Sequence, residues 1–141
     1  MQKLMLKNYD IDKNRLEDLI SICVFGSYHE ADFNADRSDI DIMILTDKEL
    51  EFDSEMDIED YLQEKLSQYF SYDNLHFTFI SGFNYPFSEI MLTSKDKIVF
   101  KEEKYLDYTL GYSRFTRERE ALEIMREENL KDLEGYRSGL L

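Results

Sequence analysis

Cysteine, proline and glycine are all scarce in this 141-residue chain, which has one Cys, one Pro, five Gly and no Trp. A single cysteine excludes an internal disulfide framework and fits a reducing cytoplasm. Cys23 lies inside an apolar stretch and reads as a core filler rather than a nucleophile. So little Pro and Gly predicts regular elements joined by short connections. No apolar run approaches the ~20 residues that span a bilayer. The N-terminal MQKLMLKNYD has neither a long apolar stretch nor a small-residue cleavage pattern, so no secretion signal and no membrane association are expected. Positive charge is in deficit too, 17 basic against 31 acidic residues, for a formal charge of −14. That field repels a phosphate backbone, which argues against non-specific binding to DNA or RNA, and it attracts a basic protein partner. The expected product is a cytoplasmic protein.

What is present suits a folded domain. Hydrophobic residues make up 43% and aromatics 14% of the chain. A chain this long buries roughly 70% of its unfolded surface. No repeat, low-complexity tract or linker divides it, so one domain over residues 1–141 is expected. Asp10-Ile11-Asp12 offers a cap before Ile11, Arg15, Leu16 and Leu19, read as a first helix. Ile20 to Phe25 is a short apolar run closed by Gly26-Ser27 and suits a buried strand. Asp39 to Leu45 starts as an alternating strand and becomes wholly apolar. Seven acidic residues between Glu49 and Asp60 read as an exposed loop entering a helix, whose apolar face is Ile58, Tyr61, Leu62, Leu66, Tyr69 and Phe70. Leu75–Ile80 reads as a third strand, Pro86–Leu92 as a helix with Pro in its first turn, and Lys97–Phe100 as a short strand. From about residue 105 to 135 the pattern is one long or once-broken helix, with Gly111 as the expected place of a break. Helices alternating with strands predict an α/β (α+β) fold, a small mixed sheet flanked by helices.

The chemistry is concentrated between Cys23 and Leu45. A strand ends at Gly26, which permits a tight turn and close backbone approach to a ligand. Ser27 then opens a turn or short helix whose free N–H groups and hydroxyl can meet a phosphate. Eleven residues separate Ser27 from Asp39, where the chain re-enters the sheet. Residues two apart on a strand share a face with Cα atoms about 6.6 Å apart, so Asp39 and Asp41 can converge on one hard cation while Ile40 and Ile42 enter the core. Oxygen ligands of that kind suit Mg²⁺ or Mn²⁺, which in turn bridge triphosphate oxygens.

This stretch, FGS followed by SDIDIMIL, resembles the nucleotidyltransferase superfamily of DNA polymerase β, and in particular its minimal, MNT-type branch. The signature there is Gly-Ser, a spacer, then Asp-x-Asp on the next strand. The resemblance implies a metal-dependent transfer of a nucleoside monophosphate, AMP from ATP, to a hydroxyl of a protein. Asp39 and Asp41 would be the metal ligands, with Gly26, Ser27 and Ser38 on the nucleotide. Members of the branch often act as antitoxins beside a HEPN-type ribonuclease, which implies such a partner, silenced by transfer or by occlusion alone.

The sequence departs from the family in two places that bear on chemistry. The basic residue and glycine usual after Gly-Ser are replaced by Tyr28-His29-Glu30-Ala31, leaving His29 and Arg37 as the nearby cations. His29 otherwise reads as a solvated loop residue. The third carboxylate of the family's site falls at His76, a base near neutral pH but a poor ligand for Mg²⁺. Asp73 would take its place if the strand register were shifted. The arginines of the last helix, interleaved with glutamates, read as i,i+4 pairs on a solvated face, a pattern that also admits a homodimer through that helix.

Overall fold

The structure, a computed structural model, describes residues 4–30, 33 and 38–139. Two compact units divide after Leu106, one spanning Met1–Leu106 and the other Asp107–Leu141. The first holds a four-stranded sheet built from β1 (Leu19–Phe25), β2 (Ile40–Thr46), β3 (Leu75–Ile80) and β4 (Lys97–Val99), in the order β3-β2-β1-β4. β1 pairs antiparallel with β2 and with β4, whereas β2 and β3 run parallel. A parallel neighbour needs a long crossover, and α1 (Phe52–Phe70) supplies it. The mixed sheet with flanking helices is the fold expected from the sequence.

Every strand forms where the apolar runs predict it. Ile40, Ile42, Met43, Ile44 and Leu45 of β2 are wholly buried, so this strand has no solvent face beyond its first turn of residues. On one side of the sheet Ile22, Val24, Ile40, Ile42 and Ile44 pack with Ile58, Leu62, Leu66 and Phe70 of α1. Those four α1 residues recur every four positions, the stripe a surface helix buries, each worth about 1.5–3 kcal/mol of transfer free energy. Asp53 and Glu55 in the first turn of α1 complement its dipole. The acidic run therefore lies mostly on the helix rather than in a loop. At the other end Ser71 takes a left-handed conformation, φ 53°, and turns the chain toward β3.

A first helix does not form. Ile11 and Leu16 would lie about 140° apart around a helix and could not share one stripe. Instead the segment turns, with Asp12 Oδ1 accepting from the Asn14 amide, and the two side chains are buried separately. Upstream, Leu6–Asn8 forms a single 3-10 turn. Its anchor is Asp96, 2% exposed, which accepts from the Leu6 and Lys7 amides at 3.0 and 2.8 Å. Tyr69 donates to the Met5 carbonyl and stacks on Tyr9 at 4.3 Å.

α2 (Phe87–Thr93) begins one residue later than expected, with Pro86 at its N-cap. Lys97 Nζ donates to the carbonyls of Met91 and Leu92, which closes the C-terminal end of α2, and to Tyr105 Oη. α3 runs from Glu102 to Gly139 without the break expected at Gly111. A single glycine costs a helix only about 1 kcal/mol, less than the strong helix formers around it return. Within the distal unit Arg119 pairs with Glu123 one turn on, as the charge pattern predicts. No helix among the described residues is long and apolar enough to cross a membrane. Cys23 is buried, its thiol pushed up to about 12 by burial, and is unsuited to nucleophilic work.

Removing the Asp96 carboxylate leaves buried amides without an acceptor. Asp96→Ala should lose about 2–4 kcal/mol in urea unfolding and expose the Leu6 and Lys7 amides to hydrogen exchange. A loss below about 1 kcal/mol would show that this carboxylate does not hold the N-terminal segment.

Candidate metal centre

The mouth of the sheet, where β1 ends and β2 and β3 begin, collects the residues singled out from the sequence. Register places Asp41 of β2 between Phe25 of β1 and His76 of β3. Because Ile40 and Ile42 enter the core, Asp39 and Asp41 share the opposite face, and His76 joins them there between inward-facing Leu75 and Phe77. His76 Nδ1 lies 3.4 Å from Asp41 Oδ1, the two side chains being 61% and 24% exposed. One ligand atom from each of Asp39, Asp41 and His76 falls within 4.8 Å of the others. Ligands at 2.0–2.6 Å from a shared ion stand up to about 4–5 Å apart, so this donor set fits a single divalent cation. Asp73, the alternative to His76, precedes β3 and is not in this group; its carbonyl accepts from Gln63 Nε2.

Gly26 is required here by its neighbour as well as by its backbone. It has φ +72°, and a Cβ in its place would collide with Asp41 Oδ2 and lie 3.2 Å from Asp41 Cγ. The turn thus packs against the carboxylate, and a side chain at this position would displace it. Ser27 follows in a turn, not a helix, its carbonyl accepting from the Glu30 amide.

His29 is not the free loop side chain expected. Its Nε2 lies 2.5 Å from Asp96 Oδ2, which draws the imidazole toward the buried carboxylate. Tyr28, also buried, meets Phe33 and Phe70 edge-on. The loop after Gly26-Ser27 is therefore fastened to the interior on both counts. Arg37, the other cation expected near the phosphates, lies outside the described residues.

Two positioning residues were not legible in the sequence. The Ser38 carbonyl accepts from Tyr72 Oη and from Asn74 Nδ2, and the Ile40 amide donates to the Asn74 carbonyl at 2.9 Å. Ser38, expected on the nucleotide, is thus held through its carbonyl by the segment between α1 and β3. This clamp fixes the backbone on either side of Asp39. Serine, tyrosine and asparagine at 71–74 read only as turn chemistry, and nothing local shows that they reach across to β2.

The electrostatics suit a cation. Burial, then the adjacent Asp39 charge, raise the pKa of Asp41 above its ordinary 3.8, with His76 opposing in part. A raised carboxylate pKa contributes stability only below the ordinary value, and that contribution is lost as pH rises through the raised one. At neutral pH the ionised pair accordingly works against the fold.

A family model described as polymerase beta, nucleotidyltransferase matches residues 9–104, more than half of the chain and the whole of this site. No curated protein and no solved structure matches the chain.

Two outcomes follow from this geometry. Asp41→Asn should raise the melting temperature of chelator-treated protein at pH 7, with the gain fading as pH falls toward about 4; an unchanged or lower value at pH 7 would remove the repulsion argument. Gly26→Ala should cost about 1–2 kcal/mol from its left-handed backbone and abolish any stabilisation by divalent cations. Retained cation stabilisation in that variant would show that Asp41 does not depend on the turn.

Proposed function

This chain belongs to the polymerase β-type nucleotidyltransferase family, and from that premise we propose that it moves a nucleoside monophosphate, AMP from ATP, onto a hydroxyl of a protein partner. The observation that carries the reading is the convergence of Asp39, Asp41 and His76 at one strand mouth beside the Gly26 turn. Asp39 and Asp41 would hold a divalent cation, Mg²⁺ or Mn²⁺, which would neutralise phosphate charge and polarise the α-phosphorus. The Gly26-Ser27 turn offers backbone N–H groups to the terminal phosphates, with Ser38 at the far lip. The acceptor oxygen attacks the α-phosphorus, the bond to the β-phosphate bridging oxygen breaks, and pyrophosphate leaves. His76 would take the hydroxyl proton, and its exposure supports that role by leaving it within reach of an incoming substrate. The acceptor belongs to a protein whose surface is basic, because a chain of charge −14 attracts such a surface, and a HEPN-type ribonuclease partnered in the reducing cytoplasm is the family precedent.

A second reading is favoured by one observation. Among the described residues no carboxylate of β3 joins Asp39 and Asp41, and the turn's histidine is occupied by Asp96. A chain that kept the fold without efficient transfer would silence its partner by covering it.

Thermal unfolding with and without metal–ATP separates the two. Ligand at about 100 times its dissociation constant stabilises the native state by about 2.7 kcal/mol, a rise of roughly 5–10 °C for a domain of this size. The wild type should show that rise with MgATP or MnATP, and Asp39→Asn/Asp41→Asn should not. No rise with either metal at millimolar concentration would overturn the transferase reading and leave the occluding module.

A further inference from the structure

The third donor at this site is nitrogen where the other two are oxygen, and that difference bears on which cation the site takes. β3 reads Leu75-His76-Phe77-Thr78-Phe79-Ile80 and carries no carboxylate, while Asp73 is outside the donor group. The parallel register fixes His76 directly beside Asp41, so no slip of the strand is available to bring an acid to that place without turning Leu75, Phe77 and Phe79 out of the core. The ring nitrogen that faces Asp41 is Nδ1, at 3.4 Å.

Mg²⁺ is a hard ion that demands near-octahedral oxygen ligands at 2.0–2.1 Å and parts with its water reluctantly. An imidazole adds little to it. First-row transition ions accept imidazole readily, and their affinity for mixed oxygen and nitrogen donors rises from Mn²⁺ through Co²⁺ to Ni²⁺ and Cu²⁺, with Zn²⁺ also above Mn²⁺. Two carboxylates and one imidazole make an incomplete set for any of them. With His76 61% exposed, the remaining positions face solvent, where water or phosphate oxygens can complete the shell.

We propose that Asp39, Asp41 and His76 form one mixed oxygen-and-nitrogen site that selects a first-row transition ion over Mg²⁺. The inference rests on the metal-binding part of the function proposed above and changes the identity of the ion. It also moves His76 from the acceptor's proton to the ion, because a neutral imidazole that gives its Nδ1 lone pair to a cation keeps its proton on Nε2 and takes up no second one.

The test measures metal binding directly, with no turnover. Chelator-treated full-length protein is titrated with Mg²⁺, Mn²⁺, Co²⁺ and Zn²⁺ by calorimetry, and the Co²⁺ titration is repeated by visible absorption, which reports nitrogen ligation. Wild type, His76→Ala and His76→Asp are compared after circular dichroism has shown each to be folded. His76→Ala should weaken Co²⁺ and Zn²⁺ binding by at least about tenfold while leaving Mg²⁺ within about twofold. His76→Asp should bind Mg²⁺ more tightly than wild type and lose the nitrogen signature from the Co²⁺ spectrum. The chain has two histidines, and His29 faces Asp96, so the signature is assignable to His76.

Equal loss of Mg²⁺ and Co²⁺ in His76→Ala would overturn the selectivity. Unchanged Co²⁺ binding in that variant would remove His76 from the ligand set. Either result leaves the metal-dependent reading standing, whereas a wild type that binds none of the four ions would overturn both.

Discussion

The architecture of the first unit depends on the confinement of β2. It is paired along both edges, and five of its seven residues are wholly buried. A strand so enclosed cannot carry charge along its length, because an unpaired carboxylate in that interior would cost several kcal/mol. Charge is tolerated only at its mouth, where water can reach. Asp39 and Asp41 occupy that mouth, and everything that meets them is an element end: the close of β1, the turn at Gly26, the first residues of β3. The same enclosure that stabilises the unit thus brings the ends of three strands, and the polar groups of two of them, into one place.

A mouth of this kind still has to be held open and in register. Two devices do so from opposite sides. The Tyr72 hydroxyl and the Asn74 side chain grip the Ser38 carbonyl and fix the entry of β2, while Asp96 ties the N-terminal turn and His29 to the base of β4. Both depend on polar groups that find partners far away in sequence, and a buried carboxylate with several donors is stable only while they remain. Fastening His29 inward has a consequence for the ligand. The imidazole is taken up by the fold, so negative charge arriving at the turn would rely on backbone N–H groups and on a cation at Asp39 and Asp41.

How far the sequence disclosed this follows from the range of the interactions involved. The strands, α1 and the Gly26, Ser27, Asp39, Asp41 constellation were legible, because apolar runs and the period of two state them locally. His76 was reached only through the family resemblance, with Asp73 left open beside it, because the choice between them rests on the β2–β3 register, which no local pattern states. The first helix failed because Asp10, Asp12 and the apolar residues after them were read as a cap and stripe, although Ile11 and Leu16 point to different sides. Gly111 failed as a break because a weak local preference was weighed without the helix formers on both sides of it. The grips of Asp96 on residue 6 and of Tyr72 on residue 38 had no local signal at all; they span 90 and 34 positions.

His76 is where these lines meet. On a strand buried on one face only, an exposed position is free to be any polar residue, so an imidazole there was not forced by folding. It sits instead where a neighbour's carboxylate is already held in repulsion with a second one, and it lowers the pKa that burial and Asp39 raise. An acid at that position would have added a third negative charge to a pair already held at a cost, in a chain of net charge −14. The imidazole relieves the free site and still offers a lone pair to an incoming ion. On the proposed reading, that substitution would shift discrimination among cations from charge to ligand softness. For that reason the identity of one side chain on an edge strand decides more about the chemistry open to this fold than the two aspartates that announce it.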